Sequence, residues 1–571
     1  QTYSAILMLR SLTILLLLIT ILCSMTPNQI QAADDSVTIL HNANGYTYDA
    51  ARDTLVRFRG MAFTSGKVIR LAHTSEDVKA LLTAYPGAER LDAGGRTVLP
   101  GLIDAHGHVL SLGEARLTID LQKTTSLDEV LNNVKKYAEE HPDQEWLTGF
   151  GWNQTKWDVN RWPTAADLDR VEPDRPVWLT RIDGHAGWAN SLALQKAGID
   201  ADTEAPEGGE IIRDENGAPQ GVLVDKAMNL VTNTFSQKTE AQLEQHLDSA
   251  LAAFGEMGLT SVHDAGTGTQ AYSIFKKYAD SGQLTTRIYA MIDGMGEHFD
   301  KLAENGPVFS YRDDLLYMRS VKLFTDGALG SRGAAMIEPY SDDPDNRGLL
   351  FYEDEKLTEL IREAATAGFQ VNIHAIGDRG NRQILDAHQK IREQMDTREL
   401  RHRIEHAQVV HPDDIPRFRQ LGIIASMQPT HATSDKNMAV DRIGEKRMEG
   451  AYAWKTFLEE NVELAFGSDF PIESPNPFFG LYSAVTRQDH QGEPEGGWYA
   501  DEALSRYKAF KAFTWDAAYS AHQEHKIGSL EPGKWADFII IDRDYFEAPA
   551  DQIWQIDVVE TWLAGKRVYK R

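Results

Sequence analysis

The sequence predicts an α/β fold: a (β/α)8 TIM barrel with a small composite β-sandwich formed by both chain ends. Three observations lead there. Eight short apolar runs recur through the middle of the chain, at 102–105, 259–262, 287–291, 320–324, 369–373, 402–405, 423–427 and 463–466; strands covered on both faces read as runs of this kind. Helical periodicity separates many of them, as over 355–367 and 451–460, and strands alternating with helices build a parallel barrel whose chemistry sits at the strand C-termini. Turn-separated strand runs crowd the two ends, among them Val68-Ile69-Arg70-Leu71 after Ser65-Gly66-Lys67, and Ala536-Asp537-Phe538-Ile539-Ile540-Ile541-Asp542 near the C-terminus.

Taken in order, residues 1–33 have the layout of a secretory signal peptide. Arg10 precedes an apolar stretch over 12–23, and Gln31-Ala32-Ala33 offers small residues for cleavage. The apolar stretch is short for a bilayer span. Bulky Leu22 before Cys23 argues against lipid attachment there, and Met8 is a candidate initiator. Residues 34–97 are expected to form the first part of the β-sandwich, 98–524 the barrel, and 525–571 the second part of the sandwich. Within the barrel, 110–255 is too long for a simple loop and reads as a large insertion. It holds Trp146, Trp152, Trp157, Trp162, Trp178 and Trp188, half of the twelve tryptophans. These rings either line an apolar substrate pocket or form the insertion's own core.

Apolar residues at 42% and charged residues at 25% of 571 positions leave material for a large core and more than one domain. The formal net charge of −27 becomes −28 once residues 1–33 leave, because that segment carries one basic residue, Arg10, and no acidic one. An acidic surface argues against nucleic acid and anionic lipid as partners, and no stable membrane insertion is expected after signal cleavage. The single cysteine, Cys23, leaves with the signal, so the mature chain has neither a disulfide framework nor a cysteine metal site. The expected partner is a small-molecule substrate, and the sequence is compatible with a homo-oligomer. The expected location is periplasmic or secreted.

The segment Val98-Leu99-Pro100-Gly101-Leu102-Ile103-Asp104-Ala105-His106-Gly107-His108 carries the sharpest chemical signal. An apolar strand ends in two histidines one residue apart, and residues two apart in a strand share a face, so both imidazoles can reach one cation. Alone, such a pair is weak evidence. The rest of a cage follows at other strand ends: Lys322 in the fourth run, His374 after the fifth, His406 after the sixth and Asp469 after the eighth. Each has a plainer reading, as a hydrogen-bonded core residue or a Gly-Ser-Asp turn; jointly the plain readings require several coincidences.

With these residues in place the chain resembles the amidohydrolase superfamily, and within it the amidohydrolase-3 branch with its formamide deformylase-like members. The matching pieces are Pro100-Gly101-Leu102-Ile103-Asp104-Ala105-His106-Gly107-His108, Asp183-Gly184-His185-Ala186-Gly187-Trp188-Ala189-Asn190-Ser191, Val321-Lys322-Leu323-Phe324-Thr325-Asp326-Gly327-Ala328-Leu329-Gly330-Ser331-Arg332, His374-Ala375-Ile376-Gly377-Asp378, Arg403-Ile404-Glu405-His406-Ala407, Gly467-Ser468-Asp469 and Glu531-Pro532-Gly533-Lys534-Trp535-Ala536-Asp537. They span nearly the whole chain after residue 33.

The resemblance implies an exported metal-dependent hydrolase of carbon–nitrogen bonds other than peptide bonds, acting through metal-activated hydroxide. His106 and His108, together with Asp469, would bind the more buried of two divalent cations, zinc being the expected metal, and His374 and His406 the more exposed one. Lys322, carboxylated by carbon dioxide, would bridge the pair, because a free ammonium cannot ligate a cation whereas a carbamate is an anionic two-oxygen ligand. An ordinary Lys322, salt-bridged to Asp326 or a neighbour, would leave a one-metal site instead. Asp469 would be the catalytic base, passing a proton to the departing nitrogen. His185, inside a family-like motif, is the implied substrate contact, with Arg332 as a further one; His263 and His431 default to supporting roles. Two other readings stay open: a mononuclear deaminase of the same superfamily, if Lys322 is unmodified, and a catalytically inactive exported binding protein on the same barrel. The complete ligand set argues against the latter.

Overall fold

The computed structural model describes residues 37–571 apart from 158, 160, 236 and 237. The expected signal segment, 1–33, lies outside the described residues. Among the described residues no helix is long and apolar enough to cross a membrane.

Eight parallel strands form the central sheet: β1 (Leu102–Gly107), β2 (Leu259–Thr267), β3 (Arg287–Asp293), β4 (Leu316–Phe324), β5 (Gln370–Ala375), β6 (Arg403–His406), β7 (Ile424–Met427) and β8 (Leu464–Phe466). Each pairs with the next in chain order, so the eight apolar runs of the sequence are the eight staves of a (β/α)8 barrel. The two edges meet just past β8. Gly107 and Phe470 form a parallel bridge, Asp469 N donates to His106 O at 2.7 Å, and His108 N donates to Phe470 O at 2.7 Å. Gly467 permits this approach: a Cβ there would stand 2.5 Å from Asp104 Oδ1 and 2.6 Å from His106 N, closer than any side chain tolerates.

β1 and β5 are buried at every position, because helices cover the barrel's outer face. The helix Glu240–Met257 shows how the sequence arranges this. Thr239 and Gln242 form a capping box at its start, and Gly258, at φ 77°, ends it. Leu243, Leu247, Leu251 and Phe254 are buried, at the three- and four-residue spacing of one helical face.

The two chain ends share a six-stranded sheet ordered Lys566–Lys570, Val558–Leu563, Phe538–Ile541, Thr97–Pro100, Asn44–Asp49, Thr54–Phe58. A four-stranded sheet, ordered Lys67–Ala72, Gly60–Thr64, Thr38–His41, Glu89–Asp92, comes from the N-terminal region alone. Leu40, Met61 and Phe63 of the smaller sheet join Val98, Phe538 and Ile540 of the larger one in a single apolar cluster.

The long segment between β1 and β2 folds as a sheet of its own, ordered Gly209–Arg213, Pro219–Asp225, Ala186–Ala189, Val177–Arg181, Leu147–Trp152, Ile119–Asp120. Trp152, Trp157 and Trp188 lie in its core with Trp162 packed against them. Trp152 meets Trp188 at a centroid distance of 6.0 Å, mostly edge to face, an arrangement aromatic rings favour. Of the two roles the sequence left open for these rings, the core role applies to this group, whereas Trp178 also lines the cavity described below.

Candidate active site

Asp469 sits where the barrel closes. Asp104, buried inside β1, takes hydrogen bonds from Ser468 N at 3.0 Å and Ser468 Oγ at 2.6 Å, which pins the Gly467-Ser468-Asp469 turn. Asp469 itself has a left-handed φ of 63°, a cost for a residue other than glycine that is concentrated at functional positions. Its Oδ1 lies 3.4 Å from His106 Nε2 and 3.2 Å from His108 Nε2. His106 belongs to β1 and His108 caps the following helix, Val109–Ala115, so the one-residue spacing does bring both rings to one carboxylate.

The other carboxylate oxygen faces a second group. His431, on the helix Pro429–Asp435, places Nε2 3.7 Å from Asp469 Oδ2. Its ring lies nearly parallel to that of His406, centroids 5.8 Å apart. His406, at the end of β6, donates Nδ1–H to Gln428 Oε1 at 2.7 Å, which leaves Nε2 for a ligand. The His374 ring, from β5, is 4.6 Å from that of His406. Its Nε2 is 3.3 Å from Gly327 O and 3.5 Å from Asp326 Oδ1. Lys322, inside β4, is buried, with Nζ 4.0 Å from the centroid of the Phe324 ring and no hydrogen-bond partner. The alternative pairing with Asp326 does not form: that carboxylate accepts backbone N–H groups from Ala335, Ile376 and Gly377 at 2.8, 3.0 and 2.8 Å.

These side chains suit a cation. The ligand atoms of His106, His108 and Asp469 all lie within 4.8 Å of one another, as do those of His406, His431 and Asp469. His106 Nε2, His431 Nε2, Asp469 Oδ1 and Lys322 Nζ are buried without hydrogen-bond partners, and buried polar atoms are normally paired. Burial works to raise the Asp469 carboxyl, but the imidazoles of His106 and His108 beside it overrule that and hold the group well below the usual carboxylate range. Burial pushes the His374 and His406 imidazoles well below their ordinary value, and the neutral imidazole is the form that ligates. It also pushes the Lys322 ammonium down, against the pull of Glu405 and Asp469.

Residues that sequence reasoning did not single out hold this arrangement. Glu405, in β6, accepts the Nδ1–H of His106 in a short hydrogen bond. Arg403 grips the same carboxylate, Nε to Oε1 at 2.7 Å and Nη2 to Oε2 at 3.0 Å, and also donates to Ala105 O at 2.6 Å. Burial would raise Glu405, but Arg403 and His106 hold it far below the usual range. His263 is a supporting residue, its Nδ1 accepting from Arg403 Nη1 at 3.0 Å. Residues 403 and 405 are two apart in a strand and so share a face; that alternation was the available signal. For Gln428, beyond β7, there was none.

A cavity of about 750 Å³ opens over these groups. His108, Lys322, His374, His406, His431 and Asp469 line it, and the insertion supplies much of the wall. His185 lines it too, with Nδ1 2.6 Å from Asp225 Oδ1 and its ring 5.4 Å from that of His374. Burial opposes a charge on His185, but its bond to Asp225 and that carboxylate's charge push the imidazole up to about 9. Arg332 is placed differently. It has a left-handed φ of 60°, pairs with Asp342 at 3.0 Å, and is not among the cavity-lining residues.

Comparison with known proteins agrees with this picture. Residues 89–569 match the model of the amidohydrolase family. The chain is 34% identical over 496 residues to a putative amidohydrolase, YtcJ, of Bacillus subtilis, covering 85% of this chain and 91% of that one. It is 28% identical over 543 residues to an N-substituted formamide deformylase of Arthrobacter pascens, covering 93% and 98%. Among solved structures it resembles an uncharacterized metal-dependent hydrolase of Pyrococcus horikoshii, with a TM-score of 0.73, 29% identity, and coverage of 90% of this chain and 99% of that one. The chain therefore belongs to the amidohydrolase family of hydrolases.

Proposed function

We propose that the protein is an exported metal-dependent amidohydrolase that cleaves the C–N bond of a non-peptide, amide-like substrate, with N-substituted formamides as the leading class. The observation that carries the reading is one carboxylate, Asp469, shared between His106 and His108 on one oxygen and His431 on the other, in the wall of a ligand-sized cavity. The substrate class is suggested by the name of the relative from Arthrobacter pascens, which is similar over nearly its whole length.

His106, His108 and Asp469 would hold one divalent cation; His374 and His406 would hold a second, with His431 added by its position next to Asp469. Two zinc ions are the favoured occupants of this nitrogen and oxygen donor set. Bound divalent cations make water more acidic and polarise a carbonyl. Asp469, ionised beside two imidazoles, takes the proton of the attacking water on its carboxylate and hands it to the departing nitrogen. Lys322 Nζ, lacking a partner and close to the same histidines, is suited to carboxylation: the neutral amine adds carbon dioxide, loses one proton and becomes an anion with two oxygens. His185 meets the substrate from the insertion side of the cavity.

A panel containing formanilide, an N-acyl amino acid, a cyclic amide and an ester, offered to zinc-loaded protein, tests the reaction class through amine and acid release. Amine release from formanilide is the expected result; turnover of the ester alone, or of nothing, overturns it. Export rests on Arg10, the apolar stretch over 12–23 and Ala32-Ala33. N-terminal sequencing of protein from its host should find a start near Ala33 or Asp34, and recovery of the intact residue-10 region from cytosol would contradict export.

A further inference from the structure

The insertion strand Pro219–Asp225 ends against the barrel. Asp225 has a left-handed φ of 47° and a side chain only 2% exposed. Its backbone N donates to His185 O at 2.9 Å while its Oδ1 accepts Nδ1–H of the same residue at 2.6 Å, so main chain and side chain grip His185 together. Oδ2 has no hydrogen-bond partner. It occupies a cradle that only glycines leave open: a Cβ on Gly327 would stand 2.9 Å from it and one on Gly333 2.8 Å. Both glycines lie in the loop after β4. Backbone strain, a buried carboxylate and two glycines thus converge on placing one imidazole.

That imidazole faces the cavity beside His374. With Nδ1 committed to Asp225, Nε2 is the ring nitrogen left for a ligand, and no described residue bonds to it. A buried carboxylate whose one side-chain partner is an imidazole forms a neutral pair when the ring carries two protons, and Nε2 is then a donor. A fixed donor costs no reorganisation when negative charge develops opposite it.

We propose that Asp225 is the positioning residue of a His185–Asp225 pair in which His185 Nε2–H donates to the substrate's carbonyl oxygen as that oxygen gains negative charge. The identity of the substrate rests on the hydrolase reading above; the pair does not.

The test uses zinc-loaded full-length protein and formanilide. His185→Ala should lower kcat by about 10²–10³-fold with a smaller change in KM, the size of effect seen when one such donor is removed, and added imidazole should restore part of it. Asp225→Ala should lower kcat by about 10–100-fold, as loss of a ligand-orienting partner does. In the double variant Asp225→Ala should cost nothing beyond His185→Ala, since the carboxylate acts through the ring. A purely structural Asp225 would cost the same in both backgrounds, and that result overturns the proposal. A second measurement needs no turnover. In protein with ¹⁵N-labelled histidine, the Nδ1–H resonance of His185, identified by its absence in His185→Ala, should lie at low field and move upfield in Asp225→Asn; an unmoved resonance overturns the proposal. If wild-type protein leaves formanilide intact, the hydrolase reading fails on that substrate while the resonance still decides the pair.

Discussion

Glu405 takes the Nδ1–H of His106 while Arg403 Nε holds Glu405 Oε1 at 2.7 Å. The strand that ends in one candidate ligand, His406, thereby orients another that stands at the end of β1. Fixing one ring nitrogen decides which nitrogen is left for a cation and raises its basicity.

Glu405→Gln keeps the size of that side chain and removes its charge. Affinity for zinc at the His106 and His108 position should fall about 10–100-fold, read by competition with a chromophoric chelator. Unchanged affinity would mean that Asp469 alone orients His106.

Asp469→Asn removes the proton acceptor while keeping the turn. Loss of a general base costs about 10²–10⁴-fold in rate, so hydrolysis should collapse while thermal unfolding and circular dichroism stay close to wild type. Near-normal turnover would place the base elsewhere.

Lys322→Ala opens space at a buried position and removes the amine that would carry a carbamate. Activity should drop, and bicarbonate or a short carboxylate should restore part of it by supplying an anion in the vacated volume. A site that works with one cation and an unmodified lysine would show no rescue. Electron density at Nζ is the companion observation, since carbamates fall apart in acid.

The barrel and the candidate site differed in how far residues alone disclosed them. Parallel strands covered on both faces need continuous apolar runs, and residues at their C-terminal ends share one rim; hence β1 to β8 and the polar residues that follow them could be read along the chain. Glu405 was masked by its own strand. A charged residue inside such a run looks like an interruption until Arg403 and His106 are seen around it. His185 and Asp225 are forty residues apart, and no local periodicity joins them. Arg332 lies in a family-like motif, and what residues alone could not disclose is its left-handed backbone and its pairing with Asp342. The tryptophans could serve either core or pocket because an aromatic ring fills both equally well, and only the packing of Trp152 on Trp188 separates the two.

Acid should weaken the native state through a second, buried histidine pair. His388 and His402 are buried with ring centroids 4.8 Å apart. Burial pushes His388 down to about 4, and burial together with its neighbour's charge pushes His402 well below the ordinary imidazole value. An unfolded histidine takes its proton near pH 6.5. Above that pH the pair's contribution to stability is fully present. As pH falls from 6.5 toward 4 the unfolded chain binds more protons than the native one, so stability declines, by about 3 kcal/mol for His388 once pH is below 4. Urea unfolding at pH 7 and pH 4.5 should show a smaller loss for His388→Gln than for wild type, whereas equal losses would assign the acid sensitivity to other groups.

Metal content tests the central claim most directly. Elemental analysis of wild-type protein purified without chelator should find about two divalent ions per chain, with zinc dominant, given one carboxylate shared between two sets of histidines. Protein that carries no divalent metal, and retains none after incubation with zinc and removal of the excess, would contradict the account.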